Sequence, residues 1–88
     1  MPRHWVYMLL CSDGTLYSGS TTDHLRRLRE HNRGTASKYT RGRLPVKLAY
    51  LEECASKSAA LKREAALKRL DRRTKLQLCA GFRSTSHS

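Results

Sequence analysis

The first twenty residues constrain the fold more than any other stretch. Trp5–Cys11 is apolar on both alternating sets, with Trp5, Tyr7, Leu9 and Cys11 on one side and Val6, Met8 and Leu10 on the other. A strand buried on both faces has this pattern. Ser12-Asp13-Gly14 is a turn signal, and Thr15–Ser20 reads as a second strand. The loop length then decides which way the side chains point. A two-residue loop at Asp13-Gly14 would put Tyr7 and Tyr17 on opposite faces. A three-residue loop with Gly14 left-handed pairs Cys11 with Thr15, Leu9 with Tyr17 and Tyr7 with Gly19. Both phenols then share one face as diagonal neighbours, roughly 7 Å apart at the backbone. The three-residue loop is the expected one.

The rest of the chain supplies helices and one more strand. Thr21-Thr22-Asp23 is an N-cap cluster for a helix from about Asp23 to Arg33, stopped by Gly34. Leu25 and Leu28 form a narrow inward stripe, while His24, Arg27 and His31 share another face. Thr35–Leu44 reads as a basic loop closed by Pro45, and Val46–Leu51 alternates as a third strand. Ser56 or Ser58 caps a second helix to about Leu70, and Asp71 caps a third ending near Gly81. The expected fold class is therefore α+β, a three-stranded antiparallel sheet flanked by three helices. A chain of 88 residues makes one domain, placed at residues 1–81 with a short frayed tail at 82–88. Its expected radius of gyration is ~12 Å.

Charge is placed unevenly. Of 18 Lys and Arg residues against 7 Asp and Glu, eight lie between residues 24 and 51, opposed there only by Glu30. A surplus of +11 on so small a body attracts polyanions, and nucleic acid is the expected partner, DNA before RNA. No helix has the strongly apolar opposite face of a membrane-surface segment, no run is long enough to span a bilayer, and no leader is recognisable. The expected location is the cytoplasm, without membrane association. Cys11, Cys54 and Cys79 are an odd, widely spaced set, read as buried reduced thiols.

Phosphodiester hydrolysis needs a base, charge stabilisation and, in most sites, a metal. Acids are scarce here. Asp13 suits the turn, Asp23 and Asp71 suit caps, Glu30 suits an exposed helix surface, and Glu52-Glu53 end a strand. Glu64 remains as the isolated candidate, lying among Ala60, Leu61 and Leu67 on a helical wheel; its ordinary alternative is an i,i+4 surface pair with Lys68. A two-metal carboxylate cluster is not expected. A single-metal site with one carboxylate is compatible with the sequence.

No one residue carries the function, but an ordered set does. Trp5-Val6-Tyr7, Tyr17-Ser18-Gly19 ten residues on from Tyr7, and Thr22–Asn32 with Arg27 and His31 resemble the GIY-YIG nuclease superfamily. The stretches Ser37–Pro45 and Leu61–Ala65 are similar to the small stand-alone bacterial branch of that superfamily. The resemblance covers about residues 5–78. It implies a metal-dependent endonuclease on a three-stranded sheet, acting on structured or damaged DNA with low sequence specificity. It also implies roles. Tyr7 and Tyr17 are the tyrosines of the two motif halves, and Gly19 lets substrate or metal approach the strand. Arg27 stabilises the phosphate, and Glu64 is the metal ligand, for Mg²⁺ or Mn²⁺. Tyr17 is the expected general base, with His31 assisting. Ser18 stands where relatives have an aliphatic residue, and residues 71–80 lack an asparagine that some relatives carry. Lys38, Tyr39, Arg41 and Arg43 are the expected substrate contacts, by phosphate grip and base stacking. Two rival readings need less: a non-catalytic nucleic-acid-binding module on the same scaffold, and a metal-independent ribonuclease using His24 and His31.

Overall fold

A computed structural model describes residues 3–85 of the chain. Three antiparallel strands form one sheet in the order β2-β1-β3, with β1 at His4–Leu10, β2 at Leu16–Thr21 and β3 at Lys47–Cys54. Helices α1 (His24–Asn32), α2 (Lys38–Arg41), α3 (Lys57–Arg69) and α4 (Arg72–Thr85) surround it. The radius of gyration is 12.4 Å.

The β1–β2 hairpin has the three-residue loop. Cys11 N donates to Thr15 O at 2.9 Å, Gly14 has φ +85°, and Tyr7 pairs with Gly19 and Leu9 with Tyr17. Asp13 fixes the turn by accepting from the Thr15 amide (3.1 Å) and hydroxyl (2.6 Å). Those bonds, with a lesser contribution from Arg43, hold the Asp13 carboxyl below its ordinary pKa.

Alternation along β1 divides the interior into two cores. Val6 and Met8 pack with Ala60 and Leu67 of α3, joined by Leu78 and Cys79 of α4. Tyr7, Leu9 and Cys11 pack with Val46 on the other face, joined by Leu28 of α1 and by Tyr17. Cys11 is buried, whereas Cys54 and Cys79 are only partly so; all three are free thiols.

Four expectations are corrected. The segment read as a basic loop contains the short helix α2, because Ser37 caps it by accepting from the Tyr39 amide at 3.1 Å. Strand β3 begins at Lys47 and continues to Cys54, since β1 offers partners back to His4. Helix α4 passes through Gly81 to Thr85, so residues 82–85 of the expected tail are helical; residues 86–88 lie outside the described residues. Finally, the inward stripe of α1 is only half as expected, since Leu28 packs inward and Leu25 does not. Leu25 is 59% exposed, while the face of His24, Arg27 and His31, with Leu28, meets the sheet. The caps of α1 and α3 are Asp23 and Ser56, accepting from Arg26 N and Ala59 N.

Candidate active site

Glycine at position 19 makes room for a tyrosine. A Cβ built there would lie 2.5 Å from Tyr7 Oη and 2.7 Å from Cζ. The space above Gly19, expected to admit substrate or metal, is therefore filled by the phenol of the cross-strand neighbour. That phenol is delivered to His31 of α1, with Tyr7 Oη 3.0 Å from His31 Nε2. The imidazole's other nitrogen, Nδ1, is 2.8 Å from Thr40 Oγ1 on α2. Tyr7 is 3% exposed, and His31 and Thr40 are wholly buried.

Burial controls the protonation of this group. It pushes the Tyr7 phenol up to about 12, an effect that the nearby Arg27 guanidinium partly offsets and that Tyr17 and Glu64 add to. Burial first, and then the Arg27 charge, lowers the His31 pKa below the ordinary imidazole value, so the ring is neutral at pH 7. The site thus holds a protonated phenol against a neutral imidazole.

Arg27 stands at the rim. Its Nη1 pairs with Glu30 Oε1 at 3.0 Å, which raises its already high pKa. Glu30, expected on an exposed surface, is half-buried and also meets Arg26 Nε at 3.7 Å. Tyr17 lies against the edge of the His31 ring (centroids 5.2 Å) and stacks on Tyr39 (5.7 Å, interplanar 30°). Arg43 covers the Tyr39 ring at 3.9 Å, donates to Tyr39 O and pairs with Asp13 at 2.9 Å. Of the four expected substrate contacts, Arg43 is thus held at the surface by Asp13 and Tyr39, Tyr39 is partly covered, and Lys38 and Arg41 are exposed.

Glu64 comes from the other side of the sheet. Ser20, which follows Gly19, points to the opposite face, and its hydroxyl donates to Glu64 Oε1 at 2.8 Å. Lys68 Nζ meets Oε2 at 2.8 Å, so the expected i,i+4 pair is formed as well. The carboxylate is 19% exposed. Its charge adds a little to the raised pKa of Tyr7, which lies on the other face of the sheet. Among the described residues no group of three or more His, Cys, Asp or Glu side chains gathers for a metal. The hard oxygens of Glu64 nevertheless suit Mg²⁺ or Mn²⁺, which bind through one or two carboxylates and otherwise keep water. Ser20 occupies only part of the acceptor capacity of Oε1, and Lys68, which holds Oε2, is itself more than half exposed.

Ser18 is buried opposite Met8, away from Tyr17, and its hydroxyl has no hydrogen-bond partner among the described residues. Three residues that place the site had no signal of their own in the sequence. These are Thr40, Ser20 and Asn32, the last of which clamps the Val46 backbone by accepting from its amide (2.8 Å) and donating to its carbonyl (3.0 Å).

Residues 3–77 match the family model of the GIY-YIG catalytic domain. The chain belongs to the GIY-YIG family. That nuclease family acts on nucleic acid and generally uses divalent metals. A UPF0213 protein of Streptococcus agalactiae is 56% identical over 72 residues, covering 82% of each chain. A UPF0213 protein of Halobacterium salinarum is 54% identical over 72 residues, covering 82% of this chain and 94% of that one. Two solution NMR structures share the fold at 45% identity. One is a UPF0213 protein from Bacillus halodurans, with TM-score 0.57 over 89% of this chain and 83% of that one. The other is an E. faecalis protein, with TM-score 0.62 over 94% and 88%. The chain is thus a GIY-YIG protein that spans most of the length of these small relatives. None of its described helices is long and apolar enough to cross a membrane.

Proposed function

We propose that this GIY-YIG protein is a metal-dependent endonuclease that hydrolyses phosphodiester bonds in DNA, preferring structured or damaged DNA with low sequence specificity, and that it works in the cytoplasm. The observation that carries this reading is the buried Tyr7–His31 contact with Arg27 at its rim. It is a proton path beside a guanidinium.

Each residue then has a task. Arg27 grips a nonbridging phosphate oxygen and offsets the charge that grows on it. Lys38 and Arg41 hold the flanking backbone. Tyr7 is too weak an acid to stand ionised at neutral pH, so it serves as a relay. As water attacks phosphorus in line, its proton passes to Tyr7 Oη while the Tyr7 proton passes to His31 Nε2. The new P–O bond forms, the opposite P–O bond breaks, and the leaving oxygen takes its electron pair and a proton from solvent. The imidazolium later returns its proton through Tyr7. This arrangement replaces Tyr17 with Tyr7 as the phenol nearest the proton acceptor; Tyr17 packs the His31 ring in place and shapes the wall next to Tyr39. Glu64 would hold Mg²⁺ or Mn²⁺, with Ser20 orienting the carboxylate. When bound, such an ion supplies charge neutralisation and Lewis acidity at the phosphate.

The test is cleavage of branched and single-stranded DNA with Mg²⁺ or Mn²⁺. Glu64→Gln is expected to lose turnover and Mn²⁺ binding together, and Arg27→Ala to lose turnover. A Glu64→Gln protein that cuts like its parent overturns the reading. Salt-sensitive binding with no turnover under either metal makes the protein a non-catalytic nucleic-acid-binding module instead.

A further inference from the structure

Thr40 belongs to neither motif half and was not an expected site residue, yet it is wholly buried and its hydroxyl continues the chain of polar groups that begins at Tyr7. We infer that Thr40 is a positioning residue that fixes the tautomer of His31, keeping Nε2 free of a proton and aimed at the Tyr7 hydroxyl. The inference rests on the relay proposed above and names the residue that makes it run in one direction.

The proton inventory decides the tautomer. Three polar pairs lie in series: Tyr7 Oη to His31 Nε2 at 3.0 Å, His31 Nδ1 to Thr40 Oγ1 at 2.8 Å, and Thr40 Oγ1 to the Ser37 carbonyl at 3.4 Å. Suppose the neutral ring carries its proton on Nδ1. Tyr7 then donates to Nε2, Nδ1 donates to Thr40, and the threonine hydroxyl donates to Ser37 O. Every proton has an acceptor. Suppose instead that Nε2 carries the proton. It then points at a phenol oxygen that Arg27, a donor only, already approaches, and the phenol's own proton loses its acceptor. Thr40 would also have to turn from Ser37 O toward the ring. The first arrangement satisfies the buried groups and the second leaves one unpaired, a cost that burial makes large.

Helix α2 makes this possible. It is a single turn capped by Ser37, the residue whose carbonyl receives the Thr40 hydroxyl. The same hydroxyl oxygen can accept from Nδ1–H in both the neutral and the protonated ring, so Thr40 supports His31 before and after it takes the Tyr7 proton. The charged or titratable groups around His31 are Tyr7 of β1, Tyr17 of β2, and Arg27 and Glu30 of its own helix. None of them meets Nδ1; Thr40 does.

The experiment compares the parent with Thr40→Val and Thr40→Ser in the full chain. The ¹⁵N NMR signals of the His31 ring are read at a pH where the ring is neutral, and cleavage is assayed with Mn²⁺. The parent is expected to show a protonated Nδ1 and a bare Nε2. Thr40→Val, close in shape and without the hydroxyl, is expected to shift the ring toward Nε2–H. It should also lower kcat roughly 10- to 100-fold, the scale for losing an outer partner of a functional imidazole, with KM unchanged. Thr40→Ser should restore both. A parent ring protonated on Nε2, or a Thr40→Val ring with the parent's signals, overturns the inference. If Thr40→Val shifts the tautomer but the parent cleaves no DNA, the nuclease reading falls and the positioning role of Thr40 stands.

Discussion

At the scale of single residues the site depends on a missing methyl group. Tyr7 can lie across β2 only because residue 19 has no side chain. Gly19→Ala is therefore expected to push the phenol off His31, to lose turnover, and to destabilise the fold by about 1–3 kcal/mol as overpacking does. Thermal unfolding and the cleavage assay check both. Titration gives a second expectation. His31 has a lowered pKa in the folded protein, so below the ordinary imidazole value near ~6.5 the unfolded chain binds a proton that the folded one refuses. Stability falls as pH drops through that region, and His31→Gln should flatten that part of the pH profile in urea titrations. The Tyr7 phenol, raised from 10.0 to about 12, works at the other end. Between those values the unfolded chain loses a proton that the folded chain retains, so stability declines with rising pH. Tyr7→Phe should remove a phenol that titrates at about 12 from an absorbance titration.

Between elements, the decisive joint is Asn32. It mimics a strand partner for Val46, tying the end of α1 to the start of β3 beside the Leu44–Pro45 cis peptide. Asn32→Ala leaves a backbone donor and acceptor at Val46 unpaired. A loss of roughly 1–3 kcal/mol in urea unfolding is expected, with His31 displaced and kcat reduced more than KM. The hairpin register was legible in the sequence, because a strand apolar on both sides followed by Ser12-Asp13-Gly14 leaves few pairings. The orientation of α1 was not. Hydrophobic periodicity assumes that apolar side chains face inward, and here Leu28 does but Leu25 does not; the rest of the inward face is His24, Arg27 and His31, whose placement follows from the site and not from solvent transfer. Helix α2 was hidden for a different reason: a single turn has no periodicity, and its one sign was the serine that caps it.

For the whole molecule, charge and layering set the behaviour toward a polyanion. With a surplus of +11, affinity for nucleic acid is expected to fall steeply with salt. Lys38 and Arg41 are exposed, whereas Arg43 is bound to Asp13 and Tyr39. Lys38→Ala with Arg41→Ala should reduce the slope of log affinity against log salt by ~0.9 for each phosphate that is no longer neutralised; Arg43→Ala should act mainly by loosening Tyr39. The candidate residues were legible as a set, but not their division into two groups. Strand alternation assigns faces within a strand, whereas the strand order that puts β2 outermost depends on pairings far apart in the chain.

That outermost position has a consequence for inhibition. An extended peptide that added itself alongside β2 as a fourth strand would lie along the strand that carries Tyr17, Gly19 and Ser20 without competing for the phosphate grip. Blockade of that kind would persist at saturating nucleic acid, and a copy of the protein that paired with another along the same rim would silence both.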